Sequence, residues 1–90
     1  MSLNKYKNEV KEFMINMKSF SGDNQEKIVW LEEEFDLLKK AVNISNRDKI
    51  EHQVYDMLYL LFEIAADNDL DLDKQWQAGN IKKREKYIQK

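Results

Sequence analysis

Glu32, Glu33, Glu34 and Asp36 crowd four carboxylates into five positions, and Gln53 and Asp56 follow about two turns into the next expected helix. Residues four apart share a helix face, so Glu32 and Asp36 repel each other unless something positive sits beside them. Asp56 offers another carboxylate from a neighbouring antiparallel helix. Carboxylates projecting from facing helices are how helical bundles hold hard divalent cations, and magnesium completes its shell with water and substrate phosphates. The basic run Lys82-Lys83-Arg84 near the end of the chain could meet those phosphates. The same residues can also be read without chemistry: a solvated acidic face, and basic groups complementing a helix C-terminus.

Other chemistries lack their residues. There is no phosphate-cradling glycine-rich loop, and with no Cys there is neither a thiolate ligand nor a cysteine nucleophile. The single His52 cannot build a His-based zinc site or a conventional triad within one chain. Asp67-Asn68-Asp69-Leu70-Asp71-Leu72-Asp73 alternates acids in the manner of a calcium loop. Leu72 and Ala78 stand where that loop needs its Gly and its bidentate Glu, so capping is the better use of these acids.

The elements that must position these groups read as four helices, over residues 3–20, 24–43, 46–67 and 72–88. With no Pro and only Gly22 and Gly79, little interrupts them. The first carries Leu3, Tyr6, Val10, Phe13, Met14, Met17 and Phe20 as an apolar stripe. Ser21 to Asn24 is turn chemistry, and Asp23 with Glu26 makes a capping pair for the second helix. The second helix shows a core stripe of Ile28, Leu31, Phe35, Leu38 and Val42, and a second strip of Trp30, Leu37 and Ala41. In the third, capped by Ser45 or Asn46, the core face is Ile50, Val54, Met57, Leu58, Leu61, Ile64 and Ala65; the other face is Tyr55, Tyr59, Phe62 and Ala66. Asp69 or Asp71 caps the fourth. Two apolar faces on both central helices predict self-association, so the expected architecture is an all-α, four-helix, up-and-down fold whose central helices pack in a homodimer or homotetramer bundle.

Ninety residues make one domain with a modest core. A net charge of −2 supplies no field to attract nucleic acid or an anionic membrane. The longest apolar runs are a few residues and the N-terminal residues carry no signal-type stretch, so no membrane association and a cytoplasmic location are expected.

Four stretches together resemble a known family. They are Leu31-Glu32-Glu33-Glu34-Phe35-Asp36-Leu37, Asp56-Met57-Leu58-Tyr59-Leu60-Leu61, Leu70-Asp71-Leu72-Asp73 and Asn80-Ile81-Lys82-Lys83-Arg84. The family is the MazG-like all-α nucleoside triphosphate pyrophosphohydrolases, whose superfamily includes phosphoribosyl-ATP pyrophosphohydrolase and the dimeric dUTPases. Its first motif, two adjacent Glu, two spacers and a Glu, falls on Glu32, Glu33 and Asp36, with Asp as the last member. Its second, Glu, two spacers and Asp, falls on Gln53 and Asp56; a neutral amide there offers one oxygen but no charge and no base.

The resemblance implies a pyrophosphohydrolase that cleaves a nucleotide between its α and β phosphates, using magnesium, or manganese in its place. Glu32, Glu33, Asp36 and Asp56 would hold the metal, with Glu32 or Glu33 also helping to deprotonate water and Gln53 a departure in the set. Asn80, Lys83 and Arg84 would bind the phosphates. The competing expectation is a helical interaction protein with the same fold and no activity.

Overall fold

The computed structural model describes residues 2–17 and 24–88. Among these residues the secondary structure is entirely helical: α1 spans Leu3–Asn16, α2 Asn24–Asn43, α3 Arg47–Asp67 and α4 Leu72–Tyr87. Phe20 and Asp23 lie outside the described residues, and α1 ends at Asn16 with Met17 as its cap.

Side chains from a short list of capping residues start three of the helices. Ser2 Oγ accepts from the Lys5 amide, Asn46 Oδ1 from Lys49, and Asp71 Oδ1 from Lys74, each at 3.1 Å. Each satisfies one of the backbone N–H groups that a helix start leaves without a partner. Both turns that follow α2 and α3 are closed in the same way. Asn46 N–H donates to Ala41 O and Ser45 N–H to Val42 O; Leu70 N–H donates to Ala65 O and Asp69 N–H to Ala66 O. These are Schellman turns, whose pivotal residue adopts the left-handed conformation usually left to glycine. Here Ser45 (φ 53°) and Asp69 (φ 51°) take that place.

Helix α3 is the centre of the fold, packing against α2 along one side and α1 along another, while α4 packs mainly against α1. The α1–α3 seam is aromatic: Tyr6 meets Phe62 at 6.2 Å between ring centroids, and Phe13 meets Tyr59 edge-on at 6.4 Å. Val10, Met14 and Ala66 form the core beneath these rings.

The α2–α3 seam differs from the expected one. On α2 the buried and half-buried positions are Lys27, Leu31, Glu34, Leu38 and Ala41. That stripe is rotated by about 60° from Ile28, Leu31, Phe35, Leu38 and Val42. Ile28, Phe35 and Val42 therefore face solvent, at 45%, 48% and 53% exposure. On α3, Val54, Leu58 and Leu61 are likewise about half exposed, while Ile50, Met57 and Ile64 turn inward.

The rotation is fixed by an ion cluster. Lys27, 1% exposed, reaches from α2 to Asp67 and, at 3.8 Å, to Glu63 on α3. A buried ammonium needs such partners, and they lie on the side that pulls Ile28 outward. The exchange of amide hydrogen bonds between Asn24 and Asn68, at 3.1 Å each way, pins the same end of the hairpin.

Helix α4 is attached at its beginning. Asp73 accepts from Ser2 Oγ and from the Leu3 amide, Asn4 Nδ2 donates to Asp71, and Lys7 Nζ donates to Leu70 O. Beyond this anchor no residue of α4 is buried. The radius of gyration is 15.5 Å, against about 12 Å for a compact chain of this length.

Candidate functional site

An open cavity of about 1140 Å³ runs between α1, α2 and α3. Tyr6 and Phe13 line it from α1, Trp30 from α2, and Tyr55, Tyr59 and Phe62 from α3. Three carboxylates share the cavity with these rings: Glu9, Glu34 and Asp56. Glu34 is there because it lies seven residues after Lys27, on the face that the ion cluster turns inward.

Glu34 Oε2 is buried without a hydrogen-bond partner. Asp56 is half-buried, and Oδ2 of its carboxylate lies 3.0 Å from His52 Nε2. The imidazole therefore fixes one oxygen and leaves the other for a ligand. Burial, followed by the charge of Glu63 and the neighbouring Tyr55, pushes the Tyr59 phenol upward, so it remains a neutral group in the wall.

The expected residues are distributed more widely than the motifs imply. Glu32 and Glu33 are exposed on α2, with Glu33 on the flank that carries Trp30. Asp36 faces solvent and pairs with Lys39 at 3.4 Å, while the same ammonium sits over the Phe35 ring. Gln53 and Asp56, three apart in one motif, line different cavities. Gln53 lies with Leu37, Ala41 and Ile44 in a second one of about 450 Å³, its Oε1 buried and unpartnered. Asn80, Lys83 and Arg84 are exposed on α4, and none of them lines the larger cavity.

Among the described residues, no three carboxylate or imidazole groups converge closely enough to hold a metal ion by themselves. The carboxylates that line the larger cavity, Glu9, Glu34 and Asp56, supply oxygen donors only. That donor set fits a hard divalent cation bound by one or two carboxylates together with a ligand's phosphates.

Glu34 is the site residue that motif spacing misses, since it sits between the matched positions as a spacer. Its signal is the seven-residue step from Lys27, which places the two charges on one face together with Leu31, Leu38 and Ala41. No described helix is long and apolar enough to cross a membrane. Comparisons with protein-family models, characterised proteins and solved structures give no match. The resemblance to the MazG-like enzymes thus stands on the motif residues alone.

Proposed function

We propose that this chain is a magnesium-dependent nucleotide pyrophosphohydrolase that converts a nucleoside triphosphate or related nucleotide to a monophosphate and pyrophosphate. The observation that carries this reading is the pair Glu34 and Asp56, from facing helices, in one cavity walled by aromatic rings. The order of the acidic and basic motifs along the chain supports it.

In this account Trp30, Tyr55 and Tyr59 hold the base and sugar between flat apolar surfaces, and Asp56, fixed by His52, binds the cation with Glu34. Glu32, Glu33 and Asp36 extend the acidic face outward and keep the local field favourable for it. Magnesium, when bound, draws negative charge from the phosphoryl oxygens and lowers the pKa of water. Glu34 accepts a proton from the attacking water, whose oxygen bonds to the α phosphorus as pyrophosphate departs. Lys83 and Arg84 neutralise the departing phosphates. The expected assembly is a homodimer or homotetramer built on the exposed faces of α2 and α3.

Titration of magnesium with a non-hydrolysable nucleotide tests the reading. Each ligand should tighten the other at least tenfold, and Asp56→Asn should remove the coupling. Independent or absent binding would instead favour the second reading, a helical interaction protein. What favours that alternative is the apolar face of Ile28, Phe35, Val42, Val54, Leu58 and Leu61, left open on the α2–α3 hairpin.

A further inference from the structure

Helix α4 and the aromatic cavity are each incomplete, and they complement each other. Trp76, Asn80, Lys83 and Tyr87 stand at i, i+4, i+7 and i+11, so they share one face of α4. That face is open to solvent, with Trp76 and Tyr87 at 53% and 65% exposure. Around it lie Lys82, Lys83, Arg84 and Lys86 against the single acid Glu85. The cavity has the opposite character: rings for the rings of α4, and the carboxylates Glu9, Glu34 and Asp56 for its cations.

The lengths also agree. From Leu3 to Phe13 the α1 wall runs about 15 Å at 1.5 Å per residue, and Trp76 to Tyr87 runs about 16 Å. The chain's accessible surface is 7320 Å², about 1700 Å² above the ~5600 Å² expected for a compact monomer of this mass. A standard interface takes about 800 Å² from each partner, so there is surface for this contact and for one on the α2–α3 face as well.

We infer that the α1 side of the cavity, where Tyr6 and Phe13 stand half exposed, receives α4 of a second copy of this chain, reciprocally, with the Trp76–Asn80–Lys83–Tyr87 face against those rings and the side of Trp30 and Tyr55 left to the nucleotide. The hydrogen bonds of Asp71 and Asp73 hold the start of α4 on its own α1, and the free remainder of the helix extends to the partner. Resting on the nucleotide reading, the same docking brings Lys83 and Arg84 of one copy to the carboxylates of the other and completes the site across the interface.

Because the chain has no cysteine, engineered ones give an unambiguous test. Copies carrying Glu9→Cys are mixed with differently tagged copies carrying Asn80→Cys and treated with a short bismaleimide. Cross-linking between the two tags is expected, with loss of that band when Trp76→Glu is added to the second copy. Since Trp76 is more than half exposed and no residue of α4 is fully buried in its own chain, Trp76→Glu should leave the helical circular dichroism unchanged.

Absence of the inter-tag band would overturn the docking. So would a band formed only within a chain carrying both cysteines, or one that survives Trp76→Glu. Pyrophosphate release by a chain that gives no inter-tag band overturns the docking and spares the hydrolase reading. An inter-tag band from a chain that releases no pyrophosphate upholds the docking and removes that reading.

Discussion

Lys27 carries an almost fully buried ammonium, held by Asp67 and Glu63 and lying 4.0 Å from the Met14 sulfur. One side chain thus ties α2 to α3 beside α1. Truncation leaves two part-buried acids facing each other and opens a void, so Lys27→Ala should lower the unfolding free energy by about 2–3 kcal/mol in urea titration. The loss stays below that of a fully buried pair because both acids keep some access to water. Glu63 supplies a pH dependence. Burial raises its pKa above the ordinary 4.5, and Lys27 only partly opposes that rise. A raised acid binds more protons folded than unfolded, so its contribution to stability falls as pH rises from about 4.5 through the folded value. Asp71 is lowered by the Asn4 amide and the Lys74 N–H. At Asp73, partial desolvation is outweighed by bonds from Leu3 and Ser2. Their stabilisation is present above the ordinary 3.8 and is lost as pH falls below it. Glu63→Gln should therefore flatten the decline of melting temperature above about pH 4.5 and leave the steeper acid limb in place. At this scale the sequence makes the acidic residues visible but not their roles. Glu34 is a spacer in the motif and a wall of the cavity in the fold, because the position of Lys27 decides which carboxylate turns inward.

The helices themselves are legible in the sequence. Asn46 and Asp71 are among the caps that the sequence offers, and an apolar period runs through α1, α2 and α3. Which face turns inward is not legible, since α2 is apolar over much of its circumference and periodicity alone ranks Ile28 and Phe35 above Lys27. The long-range ion cluster between α2 and α3 breaks that tie, and nothing local announces it. Ser45 occupies a left-handed position that disfavours any side chain, so Ser45→Gly should stabilise the chain by about 0.5–1 kcal/mol, read as a raised urea midpoint at unchanged slope. Helix α4 shows the opposite limit. Its caps and length are readable, but its destination is not, because its aromatic and basic residues have few partners within the same chain.

At the scale of the whole molecule, the α2–α3 hairpin leaves Ile28, Phe35, Val42, Val54, Leu58 and Leu61 about half exposed, and the proposed assembly would cover them. The open α2–α3 face with Phe35 at its centre and the proposed α4 contact are separate patches, and two isologous interfaces of this kind would generate a tetramer with dihedral symmetry. Phe35→Glu should halve the assembly in sedimentation equilibrium while leaving the protomer folded, since Phe35 is already half exposed. The chemistry depends on the same assembly if Lys83 and Arg84 act across an interface. The most direct test of the account is pyrophosphate release from a panel of nucleoside triphosphates by the wild-type chain and by Asp56→Asn, with and without magnesium. Release of pyrophosphate with a monophosphate product is expected from at least one nucleotide, only with the divalent ion, with a fall of at least a hundredfold in Asp56→Asn. Equal turnover by the two proteins, or release of orthophosphate in place of pyrophosphate, would contradict it.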